Sequence, residues 1–144
     1  MLLHKIPVTL FGFCGFEGDD KAIERVLQMI NDRHSVKISL YQGDIDKFLN
    51  EINECESIIA TRFHAFVTAV MMKKNVYPII YSPKQSNVLK DIGFDGVVWD
   101  MYSGHFPEAC SIIKDCFSVK SQFSADDLFT ESKNQFYALD KFIN

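Results

Sequence analysis

The sequence predicts an α/β protein with a parallel sheet of about five strands and helices on both faces. Three observations carry this prediction. Short apolar, β-prone runs alternate along the chain with longer stretches whose apolar residues recur every three or four positions. Polar turns that contain glycine or proline separate these runs. With 144 residues, 47% of them hydrophobic, the chain is long enough to bury a core of its own.

The first part of the chain is predicted to contain two strands and two helices. The strands lie at residues 8–13 and 36–41, and the helices lie at 21–31 and 45–53. The turn at 14–20 contains glycines without the G-x-G-x-x-G spacing, and its acids would repel a phosphate. We therefore expect Asp19 or Asp20 to cap the first helix and Asp44 to cap the second.

The second part of the chain is predicted to contain three more strands, each followed by a helix. The strands lie at 57–60, 76–81 and 97–99, and the helices lie at 65–72, after Pro83, and at 108–117. The run 57–60 is typical of a strand that is buried on both faces. Residues 65–72 are equally apolar but too rich in Ala and Met for a strand, so we assign them to a buried helix. Together these elements predict a Rossmann-like, three-layer domain over residues 1–122.

Residues 123–144 follow the last predicted strand and are expected to form a helical tail. Several apolar residues recur there at helical spacing, namely Leu128, Phe129, Phe136, Leu139 and Phe142. The aromatic residues Phe129, Phe136, Tyr137 and Phe142 are expected to be spread round this helix. We expect the tail to pack on the domain or on a partner, and we expect a homodimer that buries its apolar surface.

Composition argues against several classes of partner and site. A net charge of −4 and the absence of a basic run disfavour a nucleic-acid partner. The apolar runs are shorter than the roughly 18 residues of a membrane-spanning helix. The four cysteines include no C-x-x-C pair, which argues against a structural zinc site. They lie in or beside apolar segments, which favours reduced, buried thiols and a cytoplasmic protein.

Polar side chains follow two of the predicted strands at the point where each strand ends. Arg62 and His64 come directly after the run 57–60. Tyr81 ends the next strand, and three polar residues follow Pro83, namely Lys84, Ser86 and Asn87. In open α/β sheets, ligands bind at the carboxyl ends of the strands, so we expect these residues to form the site.

The motifs at this edge resemble a known family. The sequence T-R-F-H-A at 61–65, followed by Y-S-P-K at 81–84 and V-L-K-D-I-G at 88–93, is similar to the C-terminal half of the polysaccharide pyruvyl transferases. The resemblance extends over roughly residues 6–99 and implies the second of two Rossmann-like domains of a GT-B fold. It also implies that the isolated chain has little activity without an N-terminal domain.

The resemblance further implies the reaction. Such an enzyme transfers pyruvate from phosphoenolpyruvate, a co-substrate, to a sugar of a cell-surface polysaccharide precursor, and it forms a ketal without a cofactor. The acceptor is a sugar or a lipid-linked saccharide, which places the enzyme in the cytoplasm at the inner face of the membrane.

The residue types suit a donor that carries a phosphate and a carboxylate. Arg62 offers a planar fork for either group, and Lys84 offers a second positive charge. An imidazole can both accept and donate a proton, so His64 can transfer a proton or stabilise the departing phosphate. Tyr81, Ser86 and Asn87 are the remaining candidates for substrate contacts.

Other interpretations of the same residues stay open. Arg62 can instead pair with Glu56, and His64 can be structural. Ser86 and Asn87 can simply cap the helix after Pro83. At the level of function, the alternatives are a GT-B-type glycosyltransferase with a nucleotide-sugar donor and a non-catalytic domain that binds an anion or a partner. The sequence contains no clear acid or glycine-rich loop for a nucleotide sugar.

Overall fold

The computed structural model describes residues 6–31 and 35–118, together with Thr130 and Lys141. The chain divides into two compact units, Met1–Cys55 and Glu56–Asn144, and each is treated separately below. The predicted tail at 123–144 lies outside the described residues apart from Thr130 and Lys141, so its packing and the homodimer stay predictions. Within the described part of the chain, no helix is long and apolar enough to cross a membrane.

Residues 6–31 and 35–55 of the first unit form two parallel strands and two helices. These are β1 (Val8–Gly12), α1 (Asp19–Met29), β2 (Val36–Leu40) and α2 (Ile45–Asn53), with a 3-10 turn at Gly15–Glu17. β1 pairs with β2 in parallel, with Val8 opposite Val36 and Gly12 opposite Leu40. All four elements lie within two residues of their predicted bounds.

The aromatic core of the first unit is centred on α2. Asp44 is the N-cap of this helix and accepts a hydrogen bond from the backbone N–H of Lys47 at 3.0 Å, as predicted. Phe48 is buried, and its ring meets three other rings edge-on, those of Phe11 (5.7 Å between centroids), Phe13 (5.0 Å) and Tyr41 (5.6 Å). These contacts hold α2 against the face of the sheet that carries Phe11.

The prediction that Asp19 or Asp20 caps α1 is wrong. The N-cap is Gly18, whose φ of 80° is in the left-handed region that glycine tolerates, and Asp19 is the first helical residue. The Asp19 carboxylate instead accepts hydrogen bonds from the backbone N–H groups of Phe13 and Cys14, both at 2.9 Å. β1 ends before these two donors, so an acidic side chain satisfies the backbone there.

The second unit contains a three-stranded parallel sheet with helices on both faces. Its elements are β3 (Ser57–Ala60), α3 (Phe63–Met71), β4 (Asn75–Ile80), α4 (Pro83–Asp91), β5 (Trp99–Asp100), a 3-10 turn at Met101–Ser103, and α5 (Ala109–Ser118). The strand order is β3-β4-β5, and both pairings are parallel. The predicted α/β class is confirmed, and the described residues contain five strands distributed over two parallel sheets.

The core of the second unit lies on both sides of β4. Ala60 and Ala69 are almost fully buried where α3 packs on the sheet. On the other face, the Ser57 hydroxyl donates to the Cys116 carbonyl of α5 at 3.1 Å, and burial raises the pKa of the Cys116 thiol. The expectation that β3 is buried on both faces is wrong, because β3 is the terminal strand of this sheet and Ile59 is 48% exposed.

Two helices of the second unit end in the same motif with different residues. In α3, the backbone N–H of Lys74 donates to the Ala69 carbonyl at 2.9 Å, and in α4 the N–H of Phe94 donates to the Leu89 carbonyl at 2.9 Å. This pattern requires a left-handed residue just after the helix. Lys73 takes that position after α3 with φ 55°, and Gly93 takes it after α4 with φ 66°.

We expect the two positions to respond in opposite directions to substitution. Lys73→Gly should raise the free energy of unfolding by about 0.5 kcal/mol, because relief of the left-handed strain slightly exceeds the entropy cost of glycine. Gly93→Ala should lower it by about 1 kcal/mol. A methyl group at Gly93 meets no atom within 4 Å, so that loss is conformational and not steric.

Urea unfolding followed by the fluorescence of Trp99, the single tryptophan of the chain, measures both changes. Trp99 belongs to the same unit as both helix ends. A destabilised Lys73→Gly variant would show that the lysine side chain contributes more than its backbone strain costs.

Candidate active site

The candidate site is formed where β3 and β4 end. The strands are parallel neighbours, so their carboxyl ends lie at one edge of the sheet. Each strand is followed by two residues and then by a helix. Arg62 is the N-cap of α3, and Ser82 is the N-cap of α4.

The predicted site residues occupy the first turns of these two helices, which begin earlier than the sequence predicted. His64 is the second residue of α3, and Lys84 is the second residue of α4. Both side chains are exposed, and Arg62 is half-buried. His64 and Lys84 therefore hold equivalent positions on two neighbouring helices, at the edge where ligands bind in this class of sheet.

The two helix starts are suited to an anion. The first turns of α3 and α4 contain no acidic residue, whereas α1 begins with Asp19 and Asp20 and α2 has Asp46. The N-cap of α3 makes no side-chain capping hydrogen bond, because arginine has no acceptor. The positive end of the α3 dipole and its terminal N–H groups therefore favour a negatively charged ligand.

An aromatic ring brings the two helix starts together. The Phe63 ring meets the His64 ring at 5.9 Å between centroids, with an interplanar angle of 71°. The Lys84 ammonium lies 5.3 Å from the centroid of the same Phe63 ring. This cation–π contact holds Lys84 on the side of α4 that faces α3. Sequence reasoning missed Phe63, because nothing in the T-R-F-H-A pattern distinguishes its ring from a core residue.

The other three predicted site residues, Tyr81, Ser86 and Asn87, differ in exposure and in position relative to α4. Tyr81 is 39% exposed and precedes the N-cap of α4. Ser86 and Asn87 lie inside α4 and not in a turn, and neither caps it. Ser82 caps α4 instead, because Pro83 takes the first helical position and the helix therefore begins earlier in the chain than predicted. Asn87 is exposed and Ser86 is half-buried.

A second residue that sequence reasoning missed is Gln85. Its backbone N–H donates to the Ser82 hydroxyl at 3.4 Å, and its side chain accepts from the Tyr81 backbone N–H at 2.9 Å. The side-chain amide also donates to the Thr61 carbonyl at 3.0 Å. The S-x-x-Q spacing of a capping box was present in the sequence and was the signal for the first of these bonds.

Comparison with known proteins identifies a family. The family model described as polysaccharide pyruvyl transferase matches residues 4–83, which extend from before β1 to the first residue of α4. Arg62, His64 and Tyr81 lie within the match, and Lys84 lies directly after it. Searches of curated proteins and of solved structures gave no significant match. The match covers more than half of the chain, and the chain therefore belongs to the polysaccharide pyruvyl transferase family.

Proposed function

We propose that this chain is the donor-binding domain of an enzyme that transfers the pyruvyl group of phosphoenolpyruvate to two hydroxyls of one sugar in a cell-surface polysaccharide precursor. The product is a cyclic ketal, and inorganic phosphate is released. Membership of the family assigns pyruvyl transferase activity in general. The observation that supports this donor is the placement of Arg62, His64 and Lys84 at two neighbouring helix starts that lack acidic residues.

The donor binds through its two anionic groups in this proposal. Arg62 can hold the carboxylate or a phosphate face through two parallel hydrogen bonds. Lys84 supplies a compact charge from the neighbouring helix, and the start of α3 supplies backbone N–H groups. A ligand that engages Lys84 exchanges the contact with the Phe63 ring for an ion pair.

The chemistry requires one proton to be added to carbon and two hydroxyls to be deprotonated. The methylene carbon of the donor gains a proton and becomes the methyl group. The two acceptor oxygens form bonds to the adjacent carbon, and the bond from that carbon to the phosphate oxygen breaks. One hydroxyl proton is transferred to the methyl group, and the other leaves with phosphate. His64 is the histidine at this edge of the sheet, and we assign it the proton transfer.

The acceptor in this proposal is a sugar or lipid-linked saccharide presented at the cytoplasmic face of the membrane. In a GT-B arrangement the acceptor is positioned by a second Rossmann-like domain. Orientation of two reactants contributes about 7–11 kcal/mol in favourable cases. We therefore propose that residues 1–144 by themselves bind the donor and turn it over little or not at all.

Titration of the chain with phosphoenolpyruvate, UDP and a UDP-sugar tests the proposal. Isothermal calorimetry should detect binding of phosphoenolpyruvate and much weaker binding of both nucleotides. Preference for a UDP-sugar would overturn the proposal in favour of a glycosyltransferase. Absence of binding by all three ligands would favour a domain that binds a partner chain without catalysis.

A further inference from the structure

A buried glutamine joins the two turns that carry the candidate site. Gln85 is only 7% exposed, and both ends of its side-chain amide are hydrogen-bonded. The amide nitrogen donates to the Thr61 carbonyl at 3.0 Å, and the amide oxygen accepts from the Tyr81 N–H at 2.9 Å. Thr61 precedes the N-cap of α3, and Tyr81 precedes the N-cap of α4. One side chain therefore links equivalent positions of two helix starts.

Each of the linked turns carries part of the positive charge. Arg62 and His64 follow Thr61, and Lys84 follows Tyr81. Gln85 and Thr61 are 24 positions apart in the sequence, so no local hydrogen bond can replace the bond between them. Because Gln85 is buried and engaged at both ends, it can hold the turns at one separation without contacting a ligand at the surface.

We propose that Gln85 is a positioning residue, which sets the spacing of the two turns so that a ligand with two anionic groups is held by both. The inference rests on the proposed function, in which phosphoenolpyruvate presents a phosphate and a carboxylate. A ligand with one anionic group needs only one turn, so its affinity does not depend on the spacing. This difference separates positioning from general support of the fold.

Two neutral substitutions test the link. Gln85→Met keeps the length of the side chain and removes both of its hydrogen bonds. Gln85→Asn keeps the amide but is one methylene shorter, so it cannot reach both partners, and it serves if the methionine variant does not fold. Lys90→Met is the control, because Lys90 is exposed at the other end of α4. Circular dichroism and Trp99 fluorescence establish that each variant is folded.

The measurement is the Kd of the full chain and each variant for phosphoenolpyruvate, inorganic pyrophosphate and inorganic phosphate. In the Gln85 variants we expect Kd for the first two to rise by about tenfold or more, as when other residues that orient a site are lost. Kd for inorganic phosphate should change by less than about twofold, and Lys90→Met should resemble the wild type for all three.

The outcomes separate this inference from the proposed function. Equal weakening of all three ligands, or no weakening of either larger ligand, would overturn the role of Gln85. If the wild type binds pyrophosphate but not phosphoenolpyruvate, the proposed donor fails, and the role of Gln85 is decided by pyrophosphate against phosphate. A wild type that binds none of the three overturns both.

Discussion

Replacement of His64 by alanine is expected to lower the rate of ketal formation by at least about two orders of magnitude, the usual size for a lost general acid or base. His64 is exposed on the first turn of α3, at the edge of the sheet where β3 ends. The measurement is release of inorganic phosphate from phosphoenolpyruvate in the presence of acceptor, in an enzyme that joins this chain to the proposed acceptor-positioning domain.

The control for this variant is His105→Ala. His105 is also exposed, and it lies in the loop after β5, where its carbonyl accepts a hydrogen bond from the Trp99 indole at 2.8 Å. That backbone contact survives the substitution, so turnover should stay close to that of the wild type. Turnover near the wild-type rate in His64→Ala would leave His64 with a structural role and would remove the proposed proton transfer.

Replacement of Arg62 by alanine is expected to raise the Kd for phosphoenolpyruvate by about 10- to 100-fold. A hydrogen bond to a charged group contributes about 1.5–3 kcal/mol, and each 1.4 kcal/mol corresponds to about a factor of ten. Arg62→Lys keeps the charge but loses the planar fork, so its Kd should lie between those of the wild type and the alanine variant. Calorimetry on the chain measures all three.

Arg25→Ala is a suitable control, because Arg25 is exposed on α1 in the first unit. It changes the net charge by the same amount as Arg62→Ala. If both variants weaken binding equally, the effect is one of overall charge, and Arg62 has no special contact with the donor. Increasing salt should weaken wild-type binding more than binding by Arg62→Ala, because one ion pair fewer is screened.

Local patterns in the sequence were sufficient for the class of fold and for the positions of the candidate residues relative to the strands. The alternation of apolar runs with amphipathic stretches predicted the parallel strands, since side-chain periodicity follows directly from backbone geometry. Asp44 was identified as a helix cap because capping joins residues only three positions apart. Arg62 and His64 were located correctly at the end of β3, since each strand in such folds leads directly into the next turn.

Two features of the fold were beyond the reach of these patterns. Aspartate is a common helix cap, yet Asp19 does not cap α1, because Gly18 takes the N-cap position. The Asp19 carboxylate instead accepts hydrogen bonds from the two backbone N–H groups that follow β1. Ile59 reads as a core residue, yet it is exposed because β3 is the terminal strand of its sheet. The first outcome depends on the conformation of the turn between β1 and α1, and the second on which strands are neighbours in the sheet. Neither is encoded in local periodicity.

The same distinction applies to the candidate site. Residue types and their order along the chain determined which turns carry the positive charge. Only the tertiary structure decided that Phe63 contacts both His64 and Lys84, and that Gln85 reaches the Thr61 carbonyl. These contacts exist because β3 and β4 pair in parallel, which places the starts of α3 and α4 side by side although many residues separate them in the chain.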